Sequence, residues 1–100
     1  MIIVGGTFEV EPHERDRFLA EHHDMMRRSR AEAGCLEYTF SADPLDPSRV
    51  LLFERWESEE VLDAHLSALR ARPRSPDAEV SPKTASITLY DVTGERSLGG

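Results

Sequence analysis

The chain reads as a single α+β domain of the ferredoxin-like kind, with its elements in the order β-α-β-β-α-β. Two stretches with apolar residues at helical spacing are interleaved with four short stretches rich in β-branched and aromatic residues. One hundred residues leave room for one hydrophobic core and no second. A hydrophobic content of 39% beside 31% charged residues belongs to an ordinary globular chain, not to a disordered or low-complexity one.

Ile2 to Val10 is the first strand, apolar at its start and alternating toward its end, with a weakening or bulge expected at Gly5-Gly6. Pro12 suits the first turn of a helix, and Glu14 and Asp16 suit its positive end. Phe18, Leu19, His22, Met25, Met26, Ser29 and Ala33 then fall on one helical stripe, which Gly34 terminates. In Cys35 to Ala42, Leu36, Tyr38 and Phe40 alternate with polar residues as in a half-buried strand. Asp43 to Ser48 is a turn, and Arg49 to Glu57 completes a hairpin. Ser58 caps the second helix, Glu59 and Glu60 occupy its first turn, and Val61, Leu62, His65, Leu66 and Leu69 form its buried face. Pro73, Pro76 and Pro82 interrupt helical structure, and Thr84 to Val92 is the last strand. The domain is thus expected over residues 1–93, with 94–100 as a flexible C-terminal tail.

One antiparallel sheet with both helices on one face leaves its other face uncovered. A homodimer packed through that open sheet face is expected, with pockets between sheet and helices.

Charge narrows the partners. Nineteen acidic against twelve basic residues give a net charge of -7, which repels nucleic acid and anionic membrane surfaces. Arg27, Arg28 and Arg30 are flanked by Asp24 and Glu32 and read as a solvated helix face. Cys35 is the only cysteine, which excludes an internal disulfide and Cys-based zinc or CxxC chemistry. The apolar run Met1–Val4 is too short for a secretory segment or a bilayer span, so the default expectation is a cytoplasmic protein. Asn and Gln are absent, so no side-chain amide is available for any role.

His65 is the first chemical candidate. It lies mid-helix among Leu62, Leu66 and Leu69, so its ring points toward the sheet, where an imidazole can take a proton from a phenol or polarise a carbonyl. The competing reading is a packed histidine bonded to backbone or to Glu54. His22 lies on the apolar stripe of the first helix, as a substrate contact or a packing residue; His23 and His13 are expected to be solvated. Neither helix has His-x-x-x-His or Glu-x-x-His spacing, so no metal site is expected. Trp56 and Glu54 share a strand face with Leu52 and Val50. Trp56 can be a flat wall for an aromatic substrate if that face is open, or else a core or interface residue. Glu54 needs a partner, for which an arginine of the first helix or of the other subunit is expected.

The run Ser29-Arg30-Ala31-Glu32-Ala33-Gly34-Cys35-Leu36-Glu37-Tyr38 resembles the helix-to-strand junction of the antibiotic biosynthesis monooxygenase family. So do Asp43-Pro44-Leu45-Asp46-Pro47, Glu54-Arg55-Trp56-Glu57-Ser58-Glu59-Glu60 and Ala64-His65-Leu66, in order over roughly residues 2 to 69. The resemblance implies a dimeric α+β barrel and a family that holds cofactor-free monooxygenases of quinols and aromatic polyketides, haem-degrading relatives and isomerases. It also implies pocket positions for Trp56, His65 and Tyr38, and places Thr7 about where a first-strand amide falls in the haem-degrading branch. A threonine hydroxyl does not offer the donor geometry of an amide, which argues against haem degradation.

The leading expectation is a cofactor-independent monooxygenase that oxidises a small aromatic, quinol or polyketide-type substrate with O₂. His65 would be the base, Tyr38 the hydrogen-bond donor, Trp56 the stacking wall, and His22 and Thr7 further substrate contacts. The alternatives are a non-catalytic small-molecule binding or stress-response module, and a small-molecule isomerase built on His65.

Overall fold

The computed structural model describes residues 1–72 and 78–99. The elements are β1 (Ile2–Glu9), a short 3-10 turn (Pro12–Glu14), α1 (Arg15–Glu21), α2 (His23–Arg30), β2 (Cys35–Ala42), β3 (Arg49–Trp56), α3 (Glu59–Ala71) and β4 (Thr84–Asp91). The strands form one antiparallel sheet in the order β2-β3-β1-β4. This is the ferredoxin-like α+β fold, and the sheet of one chain is open, with β2 and β4 as its edges. Pro73 and Pro76 lie outside the described residues.

The period of two along each strand divides the sheet into unlike faces. Ile2 and Val4 on β1, Tyr38 and Phe40 on β2, and Val50, Leu52, Glu54 and Trp56 on β3 are all buried under the helices. Phe18, Met26 and Leu62 pack onto them from α1, α2 and α3, and Val10 and Val80 close the ends. The opposite face carries Ile3, Thr7, Leu51, Phe53, Arg55 and Tyr90. It is uncovered: Phe53 and Tyr90 are 41% and 53% exposed.

The expected single first helix is divided at His22. Its ring nitrogen Nδ1 lies 2.7 Å from the Phe18 carbonyl, the group its own backbone N–H would bond in an unbroken helix. The backbone N–H turns instead to Leu19 O at 3.1 Å, a tighter turn that re-aims the chain into α2. Ala33, placed on the buried stripe by spacing, is exposed because the helix has already ended.

No bulge forms at Gly5-Gly6, where pairing with β3 and β4 continues without a shift. The irregularity lies in β2 instead, between Cys35 and Glu37. Gly6 serves close approach: a Cβ there would stand 3.2 Å from Ile87 Cγ1 and 3.3 Å from Ser86 O. Gly34 has φ of +85°, and a Cβ would come within 2.7 Å of Val61, so this glycine also sets how closely α3 approaches. Ser58 caps α3 as expected, its hydroxyl accepting from Val61 N at 3.4 Å. Arg30 is not simply solvated: its Nε donates to Tyr38 O at 2.8 Å and its Nη2 to Thr39 Oγ1 at 3.1 Å, fastening the edge strand to α2.

Candidate functional site

A cleft of about 650 Å³ opens between the helices and the sheet. Phe8, Phe18, Met25, Leu69 and Val80 make its wall apolar, and His22 is the one imidazole in that wall. The His22 ring is wedged between Phe18 and Phe40, with centroids 4.4 and 4.6 Å away. The Phe18 carbonyl can only accept, so Nδ1 carries the proton that bonds it. In the neutral ring Nε2 then keeps its lone pair, with no hydrogen-bond partner among the described residues. The helix break and the acceptor thus have one cause.

One side of the cleft is a strap formed by Ala78, Val80 and Pro82. Glu21, at the end of α1, ties it down by accepting from Glu79 N at 3.0 Å and Val80 N at 3.2 Å. These bonds, the Glu79 amide first, hold the Glu21 carboxyl below its ordinary range. Arg17 braces the same corner, 3.3 Å from Glu21 and 2.9 Å from Glu79.

Behind the cleft lies a buried polar cluster. Trp56 is fully buried, and its indole Nε1 donates to Glu54 Oε1 at 2.9 Å. The His65 ring lies 4.5 Å from the indole, tilted by 37° to it, and its Nδ1 is 2.9 Å from Glu32 Oε2. Tyr38 stands edge-on to Trp56 at 6.3 Å and 5.4 Å from His65. Its hydroxyl donates to Met25 Sδ at 3.3 Å, and Met25 is part of the cleft wall. Burial, with the Glu54 charge next, pushes the Tyr38 phenol well above its ordinary range, so it is held as a donor and not as a phenolate.

The candidates therefore separate by depth. His22 faces the cleft, Tyr38 lies one side chain behind it, and Trp56 and His65 lie deeper and do not line it. Thr7 is on the opposite, open face, beside Leu51 and Ser86, and does not join them. Trp56 is on the helix-covered face and packs in the core. Within this chain Glu54 is satisfied by the Trp56 indole, with His65 nearby, and not by an arginine of the first helix. His65 is held by Glu32, not by Glu54 or the backbone. Sequence reasoning missed Glu32, which comes to His65 from 33 residues away with no periodic signal linking them. It missed Val80 and Arg72 as cleft residues for the same reason. Cys35 is partly buried, and that burial, with the Glu32 charge next, raises its thiol pKa against the weaker pull of Arg30, which disfavours the reactive thiolate.

Glu54 supplies a pH prediction. Burial raises its carboxyl above the ordinary value of 4.5, against the opposing pull of Trp56 and His65. The folded state therefore binds the proton more readily than the unfolded one. Glu54 contributes stability that is fully present below 4.5 and is lost as pH rises through the raised folded value. Gln at this position keeps an oxygen for the indole and carries no charge. E54Q is expected to match or exceed the parent in denaturant midpoint at pH 7, with the difference shrinking toward pH 4. A midpoint well below the parent at pH 7 would contradict this assignment.

Among the described residues no group of three or more His, Cys, Asp or Glu is placed to hold a metal ion, and no helix is long and apolar enough to cross a membrane.

Comparison with known proteins agrees with this architecture. The chain is 30% identical to the uncharacterised protein sll1783 of Synechocystis, over 97% of this chain and 67% of that protein. It superposes on Rv0793 of Mycobacterium tuberculosis with a TM-score of 0.73 at 28% identity, covering 96% and 98% of the two chains. The fold is shared with the haem-degrader MhuD of the same organism, whose structure has two haems in its active site, with a TM-score of 0.74 at 16% identity over 97% of this chain and 100% of that one. The family model described as antibiotic biosynthesis monooxygenase matches residues 1–72. The chain belongs to the antibiotic biosynthesis monooxygenase family.

Proposed function

We propose that this protein is a cofactor-independent monooxygenase that oxidises a small aromatic, quinol or polyketide-type substrate with O₂ in the cleft beside His22. The observation that carries the reading is the pairing of a largely apolar cleft with one imidazole nitrogen left as an acceptor in its wall. A substrate such as an anthrone is itself the electron source. His22 Nε2 removes a proton from its CH₂ carbon, and the delocalised anion passes one electron to O₂. Recombination of the resulting radical with superoxide forms the C–O bond of a peroxide, which takes the proton back from His22. Loss of the remaining C–H proton with cleavage of the O–O bond leaves a C=O group and releases water, so one O₂ yields quinone and H₂O. Tyr38 acts from behind the wall, its hydroxyl fixing Met25 against the substrate. His65 and Trp56 hold the sheet and α3 in register beneath it.

The test is oxygen uptake by purified protein freed of metal and flavin, offered anthrones, naphthols and hydroquinones. Uptake above the uncatalysed rate with stoichiometric quinone is the expected result. Its absence across the set, with binding retained, would favour a small-molecule binding module.

We also infer that two copies pair through the open sheet face, where Ile3, Leu51, Phe53 and Tyr90 form an apolar surface. Light scattering is expected to give twice the chain mass, and F53E is expected to shift it to the monomer. A strict monomer at micromolar concentration would overturn this.

A further inference from the structure

Among the described residues, four charged ones line the cleft: Glu21, Asp24, Arg28 and Arg72. Both carboxylates are already engaged. Glu21 accepts from the two strap amides and from Arg17, and Asp24 pairs with Arg28 at 3.1 Å and Arg27 at 3.4 Å. Arg28 therefore brings its own counter-charge. Arg72 does not. It follows the last turn of α3, where its backbone N–H bonds Leu69 O at 3.3 Å, and its guanidinium has no ion-pair or hydrogen-bond partner among the described residues. In a chain of net charge -7, Arg72 is thus the cleft cation with no counter-charge among the described residues.

A neutral aromatic uses that charge only weakly, through the face of its ring. A planar ring bearing a carboxylate would use both features of the lining, its ring against Phe8 and its carboxylate on the fork of donors of Arg72. A hydroxyl on the same ring would find the acceptor at His22 Nε2. We propose that the ligand of this cleft is a hydroxylated aromatic carboxylic acid and that Arg72 is the residue that selects it. The inference deepens the oxygenase reading and rests on it for the chemistry that follows binding.

The probes are 6-hydroxy-2-naphthoate and 2-naphthol, which share the ring and a hydroxyl remote from the carboxylate and differ in the carboxylate. Equilibrium dialysis against the full chain is expected to give roughly tenfold tighter binding of the acid, the size of one charge-assisted contact at an exposed rim. R72Q is expected to bring the ratio to within about threefold of unity. R70Q removes the same charge two residues away, from a side chain that does not line the cleft, and should leave the ratio unchanged. Equal affinities in the parent, an acid preference that survives R72Q, or failure of both probes to bind at millimolar concentration would each overturn the inference. Oxygen uptake separates it from the reading beneath it. Arg72-dependent binding of the acid without uptake keeps the selectivity and removes the oxygenase. Uptake from naphthol with no preference for the acid does the reverse.

Discussion

His22→Ala is expected to lower oxygen uptake by about 100- to 10,000-fold, the range that a positioned general base contributes. The chain should remain folded. His22 is only partly buried, and its ring replaces a backbone hydrogen bond that an alanine helix can form for itself. The sharper variant is H22Q, whose amide can still donate to the Phe18 carbonyl but has no basic nitrogen. If His22 acted only by breaking the helix, H22Q would keep most of the activity; as a base it should lose nearly all of it. Added imidazole should restore part of the rate to H22A, because the cleft has room for a small base beside the vacated ring. Uptake within a few-fold of the parent in both variants would remove His22 from the chemistry. His65 offers the contrast. It is 2% exposed and bonded to Glu32, so its replacement is expected to act first on stability. A change at His65 that left the denaturant midpoint intact and abolished uptake would return the base to that residue.

The fold was legible in the sequence because its two periodicities are strong and its stops are chemically specific. Alternation in Cys35–Ala42 and Arg49–Trp56, the Ser58 cap and the left-handed Gly34 each prescribe a local structure that packing then reinforces. Alternation also grouped Val50, Leu52, Glu54 and Trp56 on one side, but it does not state which side the helices cover. That needs the register of three strands together, so Trp56 could be read as an open wall when it is a core residue. The helical stripe directed both His22 and His65 inward. It could not rank them, because their difference lies in partners distant in sequence. His65 is closed off by Glu32 and Trp56, whereas His22 borders a cleft completed by Val80. The break at His22 was invisible for another reason: a side chain competing with its own helix's backbone bond leaves no mark on hydrophobic spacing.

Trp56→Ala is expected to cost about 3–5 kcal/mol from the lost ring alone, a large part of the ~5–15 kcal/mol that holds a domain of this kind folded. The side chain is fully buried, packs against His65 and bonds Glu54, so its removal also strands a carboxyl and unseats an imidazole. Chemical denaturation should show a strongly reduced midpoint, or a chain that no longer unfolds cooperatively. W56F separates packing from hydrogen bonding. It fills most of the space and leaves Glu54 without its indole donor, for which about 1–3 kcal/mol is expected. Removing both polar partners should cost less than removing one, because no buried group is then left unsatisfied. The double variant W56F/E54L is therefore expected to be more stable than W56F alone. If E54L adds its own penalty in full to that of W56F, the two side chains are independent, and the Trp56–Glu54 bond does not account for a charged residue in the centre of this sheet.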